Sequence, residues 1–265
     1  MSLVDLTNIT TEQKGEEYSQ LELKPLDEQF SCLLNSMIHA INTVENNKNN
    51  ILTIVQNICS YWRNTPVTDR LICMVGAGTS GRLALLNSLT LDTEGQFNLD
   101  YSIAGGLPAF TKAVEGTEDK EKLARIDIQK KTLNKNSVVI GISASGRTPY
   151  TNHYLQKVKE KKSMTISITN SPNSILEQTA DHSITHVTGA EYPRGSTRMK
   201  SGTSQHLTLQ LLLKTLVQAL AKKNIDTYFA QELEFIRKSI QNIQNSKQIL
   251  INNAQELTSH FFRQK

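Results

Sequence analysis

A chain of 265 residues is long enough for one large domain with a buried core. Its 29 Lys and Arg against 25 Asp and Glu leave a formal charge of +4, an excess too mild to point to nucleic acid. No apolar run approaches the roughly 18 residues of a membrane span, and the polar start "MSLVDLTNITTEQKGEEYSQ" lacks the features of a secretory signal, so a cytoplasmic protein is expected.

Residues 1–25 read as a polar, extended arm. From Phe30 the apolar residues recur at helical spacing, through Leu33, Leu34, Met37, Ile38, Ile41 and Val44, until "NNKNN" (46–50) ends the helix. A second helix runs through Ile51, Val55, Ile58, Cys59 and Trp62 and stops at "RNTPVTD". Cys32, Cys59 and Cys73 lie in apolar periodic segments without C-x-x-C spacing, which predicts buried, reduced thiols.

The pattern then changes to short β-rich runs: "LICMVG" (71–76), "YSIAG" (101–105), "SVVIGISA" (137–144), "MTISIT" (164–169) and "HSITHV" (182–187). Helix-like segments separate them. Strands alternating with helices predict an α/β fold with a parallel sheet covered on both faces. His182 and His186 flank the last run and are expected to be structural.

Two glycine/serine loops follow strand ends, "GAGTSGR" (76–82) and "SASGRT" (143–148). In open parallel sheets ligands bind at the carboxyl ends of strands. The first loop has the G-x-G-x-x-G spacing of a dinucleotide site. Such a site needs an acid at the end of the second strand, yet "YSIAGG" ends in Ala104, Gly105 and Gly106, with Asp100 at its other end. A Walker loop fails as well, because Arg82 and Leu83 follow Gly81. Gly78, Thr79 and Ser80 in the first loop, with Ser143, Ser145, Gly146 and Thr148 in the second, instead suit one phosphate at two helix N-termini. Ordinary N-cap and turn chemistry is the alternative for either loop alone.

The last third is helical. "SQHLTLQLLLKTLVQALAKKN" reads as one apolar helix. Beyond it Phe229, Leu233, Ile236, Ile240, Ile243, Lys247, Leu250, Ala254, Leu257 and Phe261 alternate by fours and threes. That seam fits a helical hairpin on the same domain, or a coiled-coil contact with a partner or second subunit.

The motifs "GAGTSGRL", "KAVEGTED", "SASGRTPY", "TNSPNSILEQTAD" and "GAEYPRGSTRMKSGTSQ", together with "TTEQ" (10–13), occur in order. Over residues 10–215 they resemble the N-acetylmuramic acid 6-phosphate etherases and the related glucokinase regulatory proteins. The resemblance implies a SIS (sugar isomerase) domain: a flavodoxin-like three-layer sandwich with a five-stranded parallel sheet. It divides the chain into an arm and helices (1–62), a phosphosugar-binding domain (63–222) and a helical extension (223–265).

The resemblance also implies a reaction, cleavage of the lactyl ether of N-acetylmuramic acid 6-phosphate to N-acetylglucosamine 6-phosphate and D-lactate, with no metal or organic cofactor. A carboxylate removes the C2 proton, lactate leaves from C3 and water adds back. Glu115 matches the family's "VEG" glutamate and takes the base role; its alternative is a solvated carboxylate at a helix start, a role that Glu118 and Asp119 suit better. Lys200 resembles a ligand-contacting lysine, or is a helix-start charge. Ser196, Thr197 and Arg198 would shape the site, and Arg82 and Arg147 would meet the ligand or a core carboxylate. A homodimer is expected, with a sugar phosphate as partner and neither nucleic acid nor membrane.

The chain departs from the family where a second glutamate stands, in "DASE", seven residues after "GTSGRL"; here the same count reaches Thr90. Glu94, one helical turn on, is the candidate substitute acid. His206 replaces a typical lysine, and the chain after residue 222 does not follow the family. Two readings stay open: an etherase, or a non-catalytic phosphosugar-binding regulator that engages a protein partner.

Overall fold

A computed structural model describes residues 11, 15–18, 20–112, 114–192 and 197–263. Helices α1 (Leu26–Asn46) and α2 (Lys48–Tyr61) precede β1 (Leu71–Gly76), α3 (Gly78–Thr90) and β2 (Asn98–Ile103). Then come α4 (Pro108–Thr111), α5 (Glu121–Gln129), β3 (Ser137–Ser143), α6 (Pro149–Glu160) and β4 (Met164–Thr169). α7 (Ile175–Thr179), β5 (His182–Thr185), α8 (Lys200–Leu220), α9 (Ile225–Asn245) and α10 (Lys247–Arg263) complete the chain.

The five strands form one parallel sheet in the order β2-β1-β3-β4-β5. Central β3 is buried along its whole length, as its continuous apolar run requires. Alternate side chains feed two cores. Ile72, Met74, Ile140, Ile142, Ile166 and Ile168 pack with α2 and α8 on one face. Cys73, Val75 and Val139 pack with Tyr150, Tyr154 and Leu155 of α6 on the other. The architecture is the expected three-layer α/β sandwich.

β2 differs from its predicted span. It starts at Asn98, whose N–H donates to the Arg70 carbonyl, and stops at Ile103 before a turn through Gly105 and Gly106. Asp100 therefore lies within the strand, paired with the Lys131 ammonium at 2.5 Å. Of the three cysteines only Cys73 is fully buried; Cys32 and Cys59 are half-buried.

The C-terminal seam is not continuous. α9 anchors Phe229 and Leu233 in the main core, but Ile243 is 43% exposed. The chain breaks helix at Ser246, and past the break Ile251 is buried while Leu250 is exposed. Lys247, the one polar residue of the seam, reaches back to Ser31 of α1 at 2.8 Å. The Leu257 and Phe261 side chains lie outside the described residues. Among the described residues no helix is long and apolar enough to cross a membrane.

Candidate functional site

β1 ends at Gly76 and α3 begins at Gly78. The turn is this tight because two glycines meet backbone to backbone. A Cβ on Gly81 would sit 2.7 Å from the Gly76 oxygen, and one on Gly76 would sit 2.8 Å from the Gly81 nitrogen. The first and third glycines of the motif thus seat a helix on a strand, a steric task that needs no dinucleotide. Ala77 caps α3 without a side-chain bond, and the first intrahelical N–H is that of Gly81. The N–H groups of Gly78, Thr79 and Ser80 open the helix with its dipole behind them, the arrangement that attracts anions.

A cleft of about 300 Å³ lies at this helix end. Gly78, Thr79 and Arg82 form one wall, Thr148 and Thr197 another, and Lys112, Glu115 and Glu118 a third. The third wall is braced. Thr117 donates to the Val114 carbonyl at 2.8 Å, and the Tyr150 N–H at the start of α6 donates to the Glu118 carbonyl at 2.9 Å. Glu115 is exposed and Glu118 is half-buried. Glu118 thus does not fit the solvated role that its sequence suggests. The signal for it is the spacing E-G-T-E, in which a turn at Gly116 (φ 67°) carries both carboxylates to one cleft.

Of the described hydroxyls assigned to the ligand, only Thr79 and Thr148 line the cleft. Ser80 is buried and donates to Gln205 Oε1 of α8 at 2.9 Å. Ser143 sits 2.9 Å from the Thr148 hydroxyl and accepts the Gly146 N–H, while Ser145 accepts the Arg147 N–H. Gly146 (φ 62°) is pressed against Ser174, where a Cβ would meet the hydroxyl at 2.2 Å. These residues build the loop rather than face the cleft. Ser196 lies outside the described residues. Among the described residues Arg82 meets no carboxylate; its guanidinium donates to the carbonyls of Phe110 and Lys112.

Lys200 is elsewhere. It is 4% exposed and lines a separate cavity of about 430 Å³ with Ser36, His39 and Gly189. Its ammonium lies 5.3 Å from the centre of the Tyr18 ring, and the Glu191 carboxylate accepts the N–H groups of Lys200 and Ser201, capping α8.

Thr90 and Glu94 stand at the far end of α3. The helix stops at Thr90, whose hydroxyl donates to the Leu86 carbonyl, so Glu94 does not continue its face but lies in a turn at φ 48°. Both line a third cavity, of about 310 Å³, with Lys214 and Tyr228. Lys214 pairs with Glu232 at 3.1 Å, and Tyr228 donates to the same carboxylate at 3.0 Å. Burial, and then Glu232, push the Tyr228 phenol up to about 12. Twelve helical steps separate Gly78 from Thr90, about 18 Å at about 1.5 Å per residue, so one chain does not bring position 90 to its own Glu115.

Beneath the cleft runs a buried polar chain. Gln205 donates to Asn170 Oδ1 at 2.9 Å, and Asn170 donates to the Ser204 hydroxyl at 2.8 Å and the His186 carbonyl at 3.2 Å. His186 is fully buried, with Nε2 2.7 Å from the Thr208 hydroxyl and Nδ1 3.2 Å from the Thr43 carbonyl. Burial holds its imidazole down at about 4, against the opposing pull of that carbonyl.

Comparison with known proteins places this geometry in a family. The profile of the glucokinase regulatory protein N-terminal SIS domain matches residues 50–159, and that of the SIS domain matches residues 122–215. The chain is 37% identical over 211 residues to the N-acetylmuramic acid 6-phosphate etherase of Bacillus cereus strain AH187, covering 78% of this chain and 70% of that protein. The enzyme of the same name from Clostridium acetobutylicum is 33% identical over 221 residues, covering 82% of this chain and 72% of that one. Among solved structures, the C-terminal domain of the Francisella tularensis glucosamine-fructose-6-phosphate aminotransferase superposes with a TM-score of 0.60 at 18% identity, over 88% of this chain and 58% of that one. The chain is therefore a SIS-domain protein and belongs to the N-acetylmuramic acid 6-phosphate etherase family.

Proposed function

We propose that this chain is a carbon–oxygen lyase that cleaves the lactyl ether of N-acetylmuramic acid 6-phosphate. The observation that carries the reading is one cleft that joins an uncapped helix N-terminus to two carboxylates, Glu115 and Glu118. The phosphate sits on the N–H groups that open α3, with the Thr79 and Thr148 hydroxyls beside it. The open-chain aldehyde at C1 acidifies the C2 proton. Glu115, the glutamate that matches the family motif, takes that proton. The C3–oxygen bond breaks, and the departing lactyl oxygen takes up a proton that Glu118, the second carboxylate of the cleft, passes on from solvent. Water then adds at C3 and a proton returns to C2, giving N-acetylglucosamine 6-phosphate and lactate. Position 90, a threonine here, has no part in this scheme within one chain.

A homodimer in the cytoplasm belongs to the same reading, as the family implies. The threonine at position 90 favours a second reading, a phosphosugar-binding regulator without catalysis, which the SIS profile of the regulatory proteins also fits. One experiment separates the two. The protein is incubated with N-acetylmuramic acid 6-phosphate in deuterated water, and lactate release and C2 exchange are followed. Glu115→Gln is expected to lose both signals, and Glu118→Gln to keep exchange while losing lactate. The opposite pattern reverses the two roles. Binding of the sugar phosphate by the unmodified protein with neither signal sinks the lyase and leaves the regulator.

A further inference from the structure

The lactyl ether proposed as substrate carries two anionic groups, a phosphate and the carboxylate of its lactyl arm, and the role of Lys112 rests on that substrate reading. The N-terminus of α3 provides for one anion. A second anion entering a cleft that already holds Glu115 and Glu118 meets like charge and needs a cation within reach.

Among the described residues two cations line the cleft, Arg82 and Lys112. Arg82 is engaged: its Nε donates to the Phe110 carbonyl at 3.0 Å, and Nη2 donates to the Lys112 carbonyl at 3.5 Å. These bonds satisfy carbonyls at the end of α4 and fix the backbone from which Lys112 projects. Lys112 itself leaves α4 in an extended conformation, at φ −128° and ψ 150°. It is exposed, and among the described residues its ammonium makes no ion pair. Three residues on stands Glu115, on the same wall.

We propose that Lys112 is the specificity-determining residue for the lactyl carboxylate, the charge that distinguishes an acid-bearing ether from a plain hexosamine phosphate. Arg82 acts behind it as a positioning residue. Lys112 pairs with the carboxylate at the mouth of the cleft and holds the leaving group on the side of Glu118. A flexible ammonium suits this task, because the arm it binds departs as free lactate.

The test measures dissociation constants of the full chain and of Lys112→Met and Lys112→Arg for two probes, N-acetylmuramic acid 6-phosphate and N-acetylglucosamine 6-phosphate, which lacks the lactyl arm. Lys112→Met is expected to bind the first about tenfold more weakly and the second within about twofold, the size of one charge-assisted contact. Lys112→Arg is expected to restore most of the loss. Equal weakening toward both probes would overturn the proposal and assign Lys112 to the phosphate. No weakening toward either would also overturn it. An unmodified protein that binds N-acetylglucosamine 6-phosphate but not the lactyl ether would bring down the substrate reading, and the role of Lys112 with it. Lys112 is on the surface, so the melting temperatures of all three proteins are expected to agree, which separates lost binding from lost folding.

Discussion

At the carboxyl ends of the strands, polar side chains are buried and bonded to one another. Ser80, Gln205, Asn170 and Ser204 link α3, α8 and β4, with His186 and Thr208 close by. At the amino ends, polar side chains tie loops together at the surface. The Tyr61 hydroxyl sits between the carbonyls of Lys135 and Lys162, and Asn98 reaches back to Arg70. The two ends of α3 inherit this contrast. One opens on the cleft with its carboxylates, and the other, at Thr90, opens on the partly exposed Lys214–Glu232–Tyr228 group. A buried network is costly to leave half-made, because each orphaned polar group bears its full desolvation penalty. The carboxyl end is therefore rigid and intolerant, and the amino end forgiving.

The largest expected effect lies at the cleft. Glu118→Gln is expected to lower lactate release by about 10²- to 10⁴-fold, the usual worth of a positioned proton-transfer group, whereas Thr90→Ala at the other end is expected to leave it within about twofold. A steady-state lactate assay decides. If Thr90→Ala costs as much as Glu118→Gln, the two ends are not functionally separate.

Next is His186. Its folded-state value near 4 lies below the unfolded value of about 6.5, so the unfolded chain binds the extra proton first. Stability is then full above about pH 6.5 and falls as pH drops toward 4, by about 3 kcal/mol in all. Urea unfolding at several pH values checks this, and the pH dependence in that window should shrink in His186→Gln. Gly81→Ala comes third, at about 1–3 kcal/mol, because its methyl would be forced onto the Gly76 carbonyl and the Ile103 side chain. The smallest change belongs to the amino end: Tyr228→Phe, which removes one partly exposed hydrogen bond, is expected to cost less than about 1 kcal/mol by thermal unfolding.

The strands are legible in the sequence because a covered parallel sheet demands continuous apolar runs, and "LICMVG" and "MTISIT" match β1 and β4 residue for residue. β2 begins three residues before its apolar run, since Asn98, Leu99 and Asp100 pair along the edge of the sheet with no such run to announce them. The first glycine loop can be located from its spacing, but not the direction of its hydroxyls. Ser80 turns inward because Gln205, 125 positions further along, waits there, and no local pattern records that. Lys200 and Glu115 look like members of one site because both sit in family motifs; the fold gives them different cavities. Glu118 escapes notice because a half-buried carboxylate and a solvated one read alike in sequence.

The contact between Gly76 and Gly81 has a bearing on how such chains are recognised at all. A glycine signature of this kind records crowding between a strand end and a helix start, so it will recur wherever that crossing recurs, whatever lies above it. A search built on the glycines alone therefore gathers architectures, not ligands. What separates this chain from a nucleotide binder stands on the neighbouring strand: small residues at the tip of β2, and an aspartate further back already engaged by Lys131.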